Sequence, residues 1–317
     1  MTIGLSMIMK DEAQVILRAL NSVYPILDYY TVVDTGSSDN SKQIVKDFFD
    51  SKNITGQILD HPFVNFEDAR NFALNAAKDK ADFSFTLDAD NIVRLAPEFN
   101  VETLRNELSA TDIGIVKVNI SGIVYGQQAF WRNTKPFRYF GATHEVLLCD
   151  APATTKDISN LSVTLYSDGK SWGDLKQKFN RNVEMLSDYI EKNGLEPRHV
   201  FYLAESYKDA GEPEKAIEWY QKRLQISNGF YEELYWSQLM IAGLKWGLGC
   251  SVAEVADEYM KCGELDELRA EHLYFLKIMY EKNCRPQSAN KISELLLKYK
   301  NPYPSRMLFL NPKAYCI

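Results

Sequence analysis

Along the first 90 residues, short runs of β-branched and aromatic residues alternate with stretches whose apolar positions recur at intervals of three and four. The runs at 2–6, 30–33, 55–59 and 83–87 predict strands, and the stretches at 12–23, 38–49 and 66–77 predict helices. Strands alternating with helices of this length imply a parallel α/β sheet. After Asn91 the pattern changes to longer strand-like runs at 113–120, 122–131, 145–149 and 161–166, with Gly and Pro between them. Such runs predict a mixed edge added to the sheet. The α/β domain is expected to span residues 1–170.

From Trp172 onward Gly and Pro become sparse and the helical period continues almost to Lys300, so residues 171–317 are expected to be all-α. The helices also repeat. Tyr207, Gly211, Pro213 and Ala216 are echoed 73 positions later by Tyr280, Cys284, Pro286 and Ala289, and an intermediate unit fits through Lys245, Gly249 and Ala253. A period of roughly 34 to 38 residues with small residues at the helix crossings predicts stacked helical hairpins. Residues 201–220 resemble a tetratricopeptide repeat closely, whereas the middle and last units match it poorly.

Composition agrees with two domains of ordinary size: 317 residues, 45% of them hydrophobic. With 36 basic and 43 acidic residues the net charge is -7, and no basic cluster interleaved with aromatics tracks a phosphate backbone, so nucleic acid is not an expected partner. The five cysteines (Cys149, Cys250, Cys262, Cys284, Cys316) are odd in number, widely spaced and free of C-x-x-C pairs. Neither a disulfide framework nor a zinc site is expected, and a reducing cytoplasm fits. The apolar start soon meets Lys10, Asp11 and Glu12, too early for a signal sequence. The stretch 113–125 is interrupted by Lys117 and Asn119 and falls short of the roughly 20 residues a membrane helix needs. Any membrane contact is expected to be peripheral.

Two motifs carry chemistry. In Leu87-Asp88-Ala89-Asp90, two carboxylates flank a small residue at the end of an apolar strand. On a strand, alternate positions share a face, so both acids would point into one volume at the carboxyl end of the sheet, where open α/β sheets bind ligands. Such a pair suits Mg²⁺ or Mn²⁺ holding a diphosphate, since hard cations take oxygen ligands and share them with substrate phosphates. The plainer reading is a solvated turn with two acids. Earlier, the strand at 30–33 ends in Asp34-Thr35-Gly36-Ser37-Ser38-Asp39, where Gly36 permits a tight turn and Ser38 or Asp39 can cap the next helix. Asp34 would lie beside Asp88, as an acceptor for the imide N–H of a uracil ring.

With both motifs in order, the chain resembles the family-2 glycosyltransferases of GT-A fold, in the branch carrying Asp-Thr-Gly-Ser before its D-x-D. The resemblance covers roughly residues 3–145. Leu5 to Glu12 corresponds to the family's first strand and its acidic turn, with Asp11 in the place of Asn; Ala69-Arg70-Asn71-Phe72-Ala73 corresponds to its Ala-Arg-Asn helix. Trp131-Arg132 and Gly141-Ala142-Thr143-His144-Glu145 resemble its Phe-Arg and Gly-x-x-His-Glu segments. The resemblance implies that Asp34 contacts the base, Arg70 the base or diphosphate, Asp88 the ribose and Asp90 the metal. The alternative for Arg70 is a helix-surface ion pair with Glu67 or Asp68. Arg132 is a candidate diphosphate clamp and equally a solvated strand-end cation.

A transferase of this family inverts the anomeric centre and needs a general base. His144 is assigned as metal or diphosphate ligand and Glu145 as base, on opposite faces of an extended segment; the bland reading is a loop histidine and a surface acid. His61, His199 and His272 fall in segments read as loop or helix surface. One departure stands out. Relatives often carry His-x-Gly-Tyr after the His-Glu, whereas this chain reads Tyr166-Ser167-Asp168-Gly169, leaving Asp168 as a substitute oxygen ligand. Lys178 and Arg181 share a helix face that reads as solvated, the alternative being that it faces the diphosphate. The expected function is a metal-dependent, inverting transfer of one sugar from a nucleotide-sugar, a UDP-sugar, to a glycan, peptide or protein acceptor. The competing classes are a transferase-like scaffold whose repeats bind a protein partner, and a nucleotidyltransferase, for which Lys10 is present but the Gly-rich phosphate loop is missing.

Overall fold

A computed structural model describes residues 1–120, 123–299 and 311–315. Gly122, Lys300 and Cys316, named above, lie outside the described residues. The chain divides into two compact units, Met1–Lys178 and Phe179–Ile317, so the boundary falls eight residues beyond the expected one.

The first unit is built on strands β1 (Ile3–Met9), β2 (Tyr29–Asp34), β3 (Thr55–Asp60), β4 (Phe83–Thr86), β5 (Ile92–Leu95), β6 (Ile113–Ile120), β7 (Ile123–Arg132), β8 (Phe137–Phe140), β9 (Val146–Cys149) and β10 (Thr155–Thr164). Eight of them form one sheet in the order β3-β2-β1-β4-β7-β6-β10-β5. The β3-β2-β1-β4 half is parallel, as the alternating pattern predicts, and β7 joins β4 antiparallel to open the mixed half. β1 is buried almost throughout, as a central strand covered on both faces requires. Helices α1 (Ile16–Val23), α2 (Ser41–Ser51), α3 (Phe66–Ala77) and α4 (Val101–Ser109) accompany the sheet. In α1 the buried positions are Ile16, Ala19, Leu20 and Val23, the three-four spacing of one apolar face.

The expectations change at several points, among them α2, which spans Ser41–Ser51 rather than 38–49, and β10, which begins at Thr155 rather than 161. The strand read at 145–149 leaves the main sheet and pairs with β8 as a separate two-stranded sheet. That hairpin is held by a second apolar cluster, in which Trp131, Phe137, Tyr139 and Leu147 pack with Leu74 of α3. The helix expected from residue 12 begins at Ile16, because the main-chain N–H groups of Asp11, Glu12 and Ala13 are taken by the side chains of Ser37, Ser41 and Asp39, at 2.9, 2.8 and 3.1 Å. The turn after β1 is thereby zipped to the turn after β2. Finally, β5, α4 and β8 carry no prediction at all; β5 and β8 are four residues each, too short to show a period.

The second unit is all-α among its described residues apart from a short 3-10 turn. After α5 (Leu175–Asn193), which starts in the first unit, come α6 (Pro197–Asp209), α7 (Pro213–Leu224), α8 (Glu232–Gly247), α9 (Val252–Leu265), α10 (Glu271–Lys282) and α11 (Pro286–Leu296). The joints inside α6–α7, α8–α9 and α10–α11 are the same. Gly211, Gly249 and Cys284 adopt left-handed backbone (φ 83°, 80° and 54°). The next N–H in each case reaches back to the carbonyl of Tyr207, Lys245 or Tyr280, at 2.9, 3.1 and 2.9 Å. This six-to-one bond is the helix-ending motif that satisfies an orphan carbonyl and turns the chain. The sequence echo is thus a repeated connector, and the buried Ala216 and Ala289 close the crossings that follow it. Among the described residues no helix is long and apolar enough to cross a membrane.

Candidate active site

The carboxyl ends of β1, β2 and β4 create the site. β2 delivers Asp34 in register with Met9 of β1, and β4 pairs with the other side of β1. Asp34 and Asp88 therefore flank β1 rather than adjoin each other. Gly36, at φ 104°, turns the chain so that the N–H groups of Gly36 and Ser37 donate to Asp34 Oδ2 at 3.3 and 3.0 Å. Lys42 Nζ lies 3.8 Å from the same oxygen. Asp34 Oδ1 is buried and lacks a hydrogen-bond partner among the described residues. An unsatisfied buried carboxylate oxygen is costly, and a ligand N–H placed there removes the cost.

Asp88 and Asp90 lie just past β4 in a turn closed by the Asn91 N–H to Asp88 carbonyl bond, 3.1 Å. The shared strand face expected for them does not exist; a turn brings them together instead. Asp88 is exposed and Asp90 half-buried. Burial, and next the charge of Asp88, push the Asp90 carboxyl up to about 6, with Asp168 adding to the rise. Glu12 is pushed up to about 7, first by burial and then by the charges of Asp90, Asp39 and Asp168, against the opposing Lys170 N–H. Among the described residues no group of three or more His, Cys, Asp or Glu is arranged to hold a metal. As oxygen donors these residues are of the type that suits a hard divalent cation, which would need most of its ligands from elsewhere.

Arg70 projects from α3 toward the D-x-D turn. It donates through Nη2 to Asp88 Oδ1 at 2.6 Å, through Nη1 to Thr86 Oγ1 at 3.4 Å, and through Nε to Glu145 Oε1. Its expected alternative partners are occupied elsewhere: Asp68 pairs with His61 at 2.6 Å, and Glu67 accepts the Gly141 N–H at 2.5 Å. The neighbouring Asn71 works as a false strand for the β8–β9 hairpin, donating to the Tyr139 carbonyl and accepting from the Tyr139 N–H at 2.9 and 2.7 Å. The Ala-Arg-Asn helix and the Gly-x-x-His-Glu turn are therefore one clamp, and it seats Glu145 on Arg70. His144, between them, is exposed and left-handed at φ 53°, so the extended geometry expected for His144-Glu145 is replaced by a turn.

Arg132 is elsewhere. It pairs in register with Phe83, the first residue of β4, so it sits at the opposite end of that strand from the D-x-D turn. Its Nη2 caps the carbonyls of Ser109 and Thr111 at 2.9 and 2.6 Å and its Nε meets Asp112 at 3.1 Å. The diphosphate clamp expected of Arg132 is replaced by a cap on the end of α4. His199 and His272 are likewise not surface residues: both are buried, and burial holds the His272 imidazole down at about 4.

A model of the glycosyl transferase family 2 matches residues 6–163. Residues 6–163 are a family-2 glycosyltransferase domain. Asp34, Arg70, Asp88, Asp90, His144 and Glu145 all fall within this glycosyltransferase domain, while Asp168 lies just beyond it. Among solved structures, the chain is similar to S. aureus TarS 1–349 at 13% identity, over 96% of this chain and 93% of that one, with TM-score 0.41. The complex of TarS 1–349 with UDP-GlcNAc is similar at 13% identity over the same shares, TM-score 0.37. The repeat protein MamA is similar at 17% identity over 43% of this chain and 77% of that one, TM-score 0.34. No curated protein is matched by the chain.

Part of the site carried no signal in the sequence. Beside the glycosyltransferase domain's D-x-D turn, a cavity of about 470 Å³ is lined by Glu12, Asp39, Asp168, Gly169, Lys170 and Trp172, among others. Both oxygens of Glu12 accept the Lys170 N–H at 3.2 Å, and Arg18 holds Asp168 by two bonds of 2.7 Å. Asp168 was legible as an acid near the site; Arg18, 150 positions away, was not.

Proposed function

We propose that the protein transfers a single hexosyl unit from a UDP-sugar to a hydroxyl of a glycan, peptide or protein, with inversion and with Mn²⁺ or Mg²⁺. The observation that carries this reading is the buried, unpartnered Oδ1 of Asp34 at the mouth of β2. An acceptor-only carboxylate there suits the imide N–H of uracil and rejects the ring nitrogen of cytosine, itself an acceptor. Asp88, steadied by Arg70, would meet the ribose hydroxyls, and Arg70 would meet the diphosphate edge through the fork geometry of guanidinium. Asp90 would hold the cation, with His144 as a further ligand to metal or diphosphate. A bound divalent cation supplies neutralisation of the departing diphosphate. Glu145 would act as the base; with Oε1 committed to Arg70, Oε2 is the oxygen to receive the acceptor proton.

The test is a thermal-shift screen of UDP, GDP, CDP and dTDP, each with and without Mn²⁺. At a hundred times its dissociation constant a ligand stabilises by about 2.7 kcal/mol. UDP is expected to give the largest shift and Mn²⁺ to enlarge it, while Asp90→Ala abolishes the Mn²⁺-dependent part and leaves the shift with UDP alone. No shift with any nucleotide, or CDP above UDP, would defeat the donor assignment. Transfer without any divalent-cation requirement would defeat the role of Asp90.

A further inference from the structure

We propose that Arg18 is a positioning residue of the transferase site, tying the main chain of Asp90 to the segment 166–170 and so fixing the Asp90 carboxylate. Arg18 stands on α1. Its Nη2 donates to the Asp90 carbonyl at 2.8 Å and to Asp168 Oδ1 at 2.7 Å, while Nη1 donates to Asp168 Oδ2 at 2.7 Å. The guanidinium lies 4.4 Å from the centre of the Tyr166 ring, stacked upon it. One planar fork thus engages three groups from two chain segments, which a lysine ammonium cannot reproduce.

The segment it grips is fixed on both sides of Asp90. The Tyr166 N–H donates to Asn91 Oδ1 at 3.2 Å, and the Lys170 N–H is held by Glu12. Between those ties Gly169 presses on the Asp90 side chain so closely that a Cβ at position 169 would stand 2.7 Å from Asp90 Oδ2. The carboxylate is therefore seated between its own main chain, held by Arg18, and the Gly169 backbone, held through Asp168 by the same arginine. As a stabiliser the Arg18–Asp168 pair contributes little, since the side chains are 33% and 46% exposed and solvent screens them. Its consequence is geometric: a reacting or ligating group displaced by about 1 Å loses up to about a hundredfold in effectiveness.

This inference rests on the donor reading above, and its experiment separates the two. Affinity of the full-length protein for UDP is measured by titration calorimetry with and without Mn²⁺, alongside the ligand-free melting temperature. For Arg18→Gln, melting is expected within about 3 °C of the parent. Affinity for UDP alone is expected to be unchanged, and affinity in the presence of Mn²⁺ to fall by about ten- to a hundredfold. Arg18→Lys, which keeps the charge without the fork, is expected to recover only part of that loss. Asp168→Asn, which frees the segment while leaving Arg18 in place, is expected to lose in the same direction. Parent-like Mn²⁺-dependent affinity in Arg18→Gln overturns the inference, as does an equal loss with and without Mn²⁺. If Arg18→Gln fails to fold, Arg18→Lys decides, and its binding UDP with Mn²⁺ at parent affinity overturns the inference. Should the parent itself show no Mn²⁺-dependent binding, the metal reading falls together with it, an outcome distinct from all of these.

Discussion

At the scale of single residues, charge is distributed so that one pole of the sheet is tense and the other is quiet. Arg132 belongs to the quiet pole, where it caps the carbonyls of Ser109, the last residue of α4, and of Thr111 just beyond it, and pairs with Asp112. Arg132→Ala is expected to cost about 2 kcal/mol of stability, through lost charge-assisted hydrogen bonds. Its UDP affinity with Mn²⁺ should equal that of the parent; a selective loss of nucleotide binding at unchanged stability would restore Arg132 to the site. Glu12 and Asp90 belong to the tense pole. Their carboxyls are raised to about 7 and about 6 in the folded protein, so between the ordinary carboxylate range and those values the native state holds protons the unfolded chain has released. Ligand-free stability contributed by this pair is therefore greatest at acid pH and is lost as pH rises through that window. On the proposed role of Asp90, protons and the cation would compete for its carboxylate. Mn²⁺-dependent UDP affinity is accordingly expected to increase from about pH 5 and to level off above about pH 7. Calorimetric titrations across that range check it, and a flat profile would exclude Asp90 as the competing group.

At the scale of elements, the sequence was most legible where a cap and a period coincide. The helix at 66–77 has the bounds expected of it because Asn65 accepts the Asp68 N–H at 2.8 Å just before the periodic run starts. Legibility failed in two physical circumstances. β5 and β8 are too short to show alternation, and β9 is an apolar run whose partner is the unforeseen β8. The site shows the same division. Asp34, Arg70, Asp88 and Asp90 sit at strand ends and on a helix, where topology alone brings side chains to one edge. The seating of Glu145 on Arg70 depends on Asn71 docking a hairpin 68 positions away, and Arg132 at a strand end reads identically whether it faces substrate or a helix terminus. The repeated connector makes its own prediction. Cys284 is exposed and left-handed where its two counterparts are glycine. Cys284→Gly is expected to stabilise the helical unit by about 1 kcal/mol, measured by chemical denaturation, because a side chain in that conformation is strained. A destabilised variant would mean that the cysteine side chain contributes packing beyond its backbone cost.

At the scale of the whole molecule, every residue placed at the candidate site lies within Met1–Lys178. Saturating UDP with Mn²⁺ is therefore expected to raise the calorimetric transition of that unit, by about 2.7 kcal/mol at a hundredfold excess over the dissociation constant. The transition of Phe179–Ile317 should stay in place, and an equal rise in both would show that the ligand also draws on the helical unit. The helical unit has a separate logic, set by its three matching joints. Each joint is completed by its own main chain, so the helix before it and the helix after it can be exchanged as a cassette without redesigning the connection. Such a unit can change length over generations by gaining or losing whole hairpins through recombination. The extent of its surface can then change while the glycosyltransferase domain is inherited unchanged.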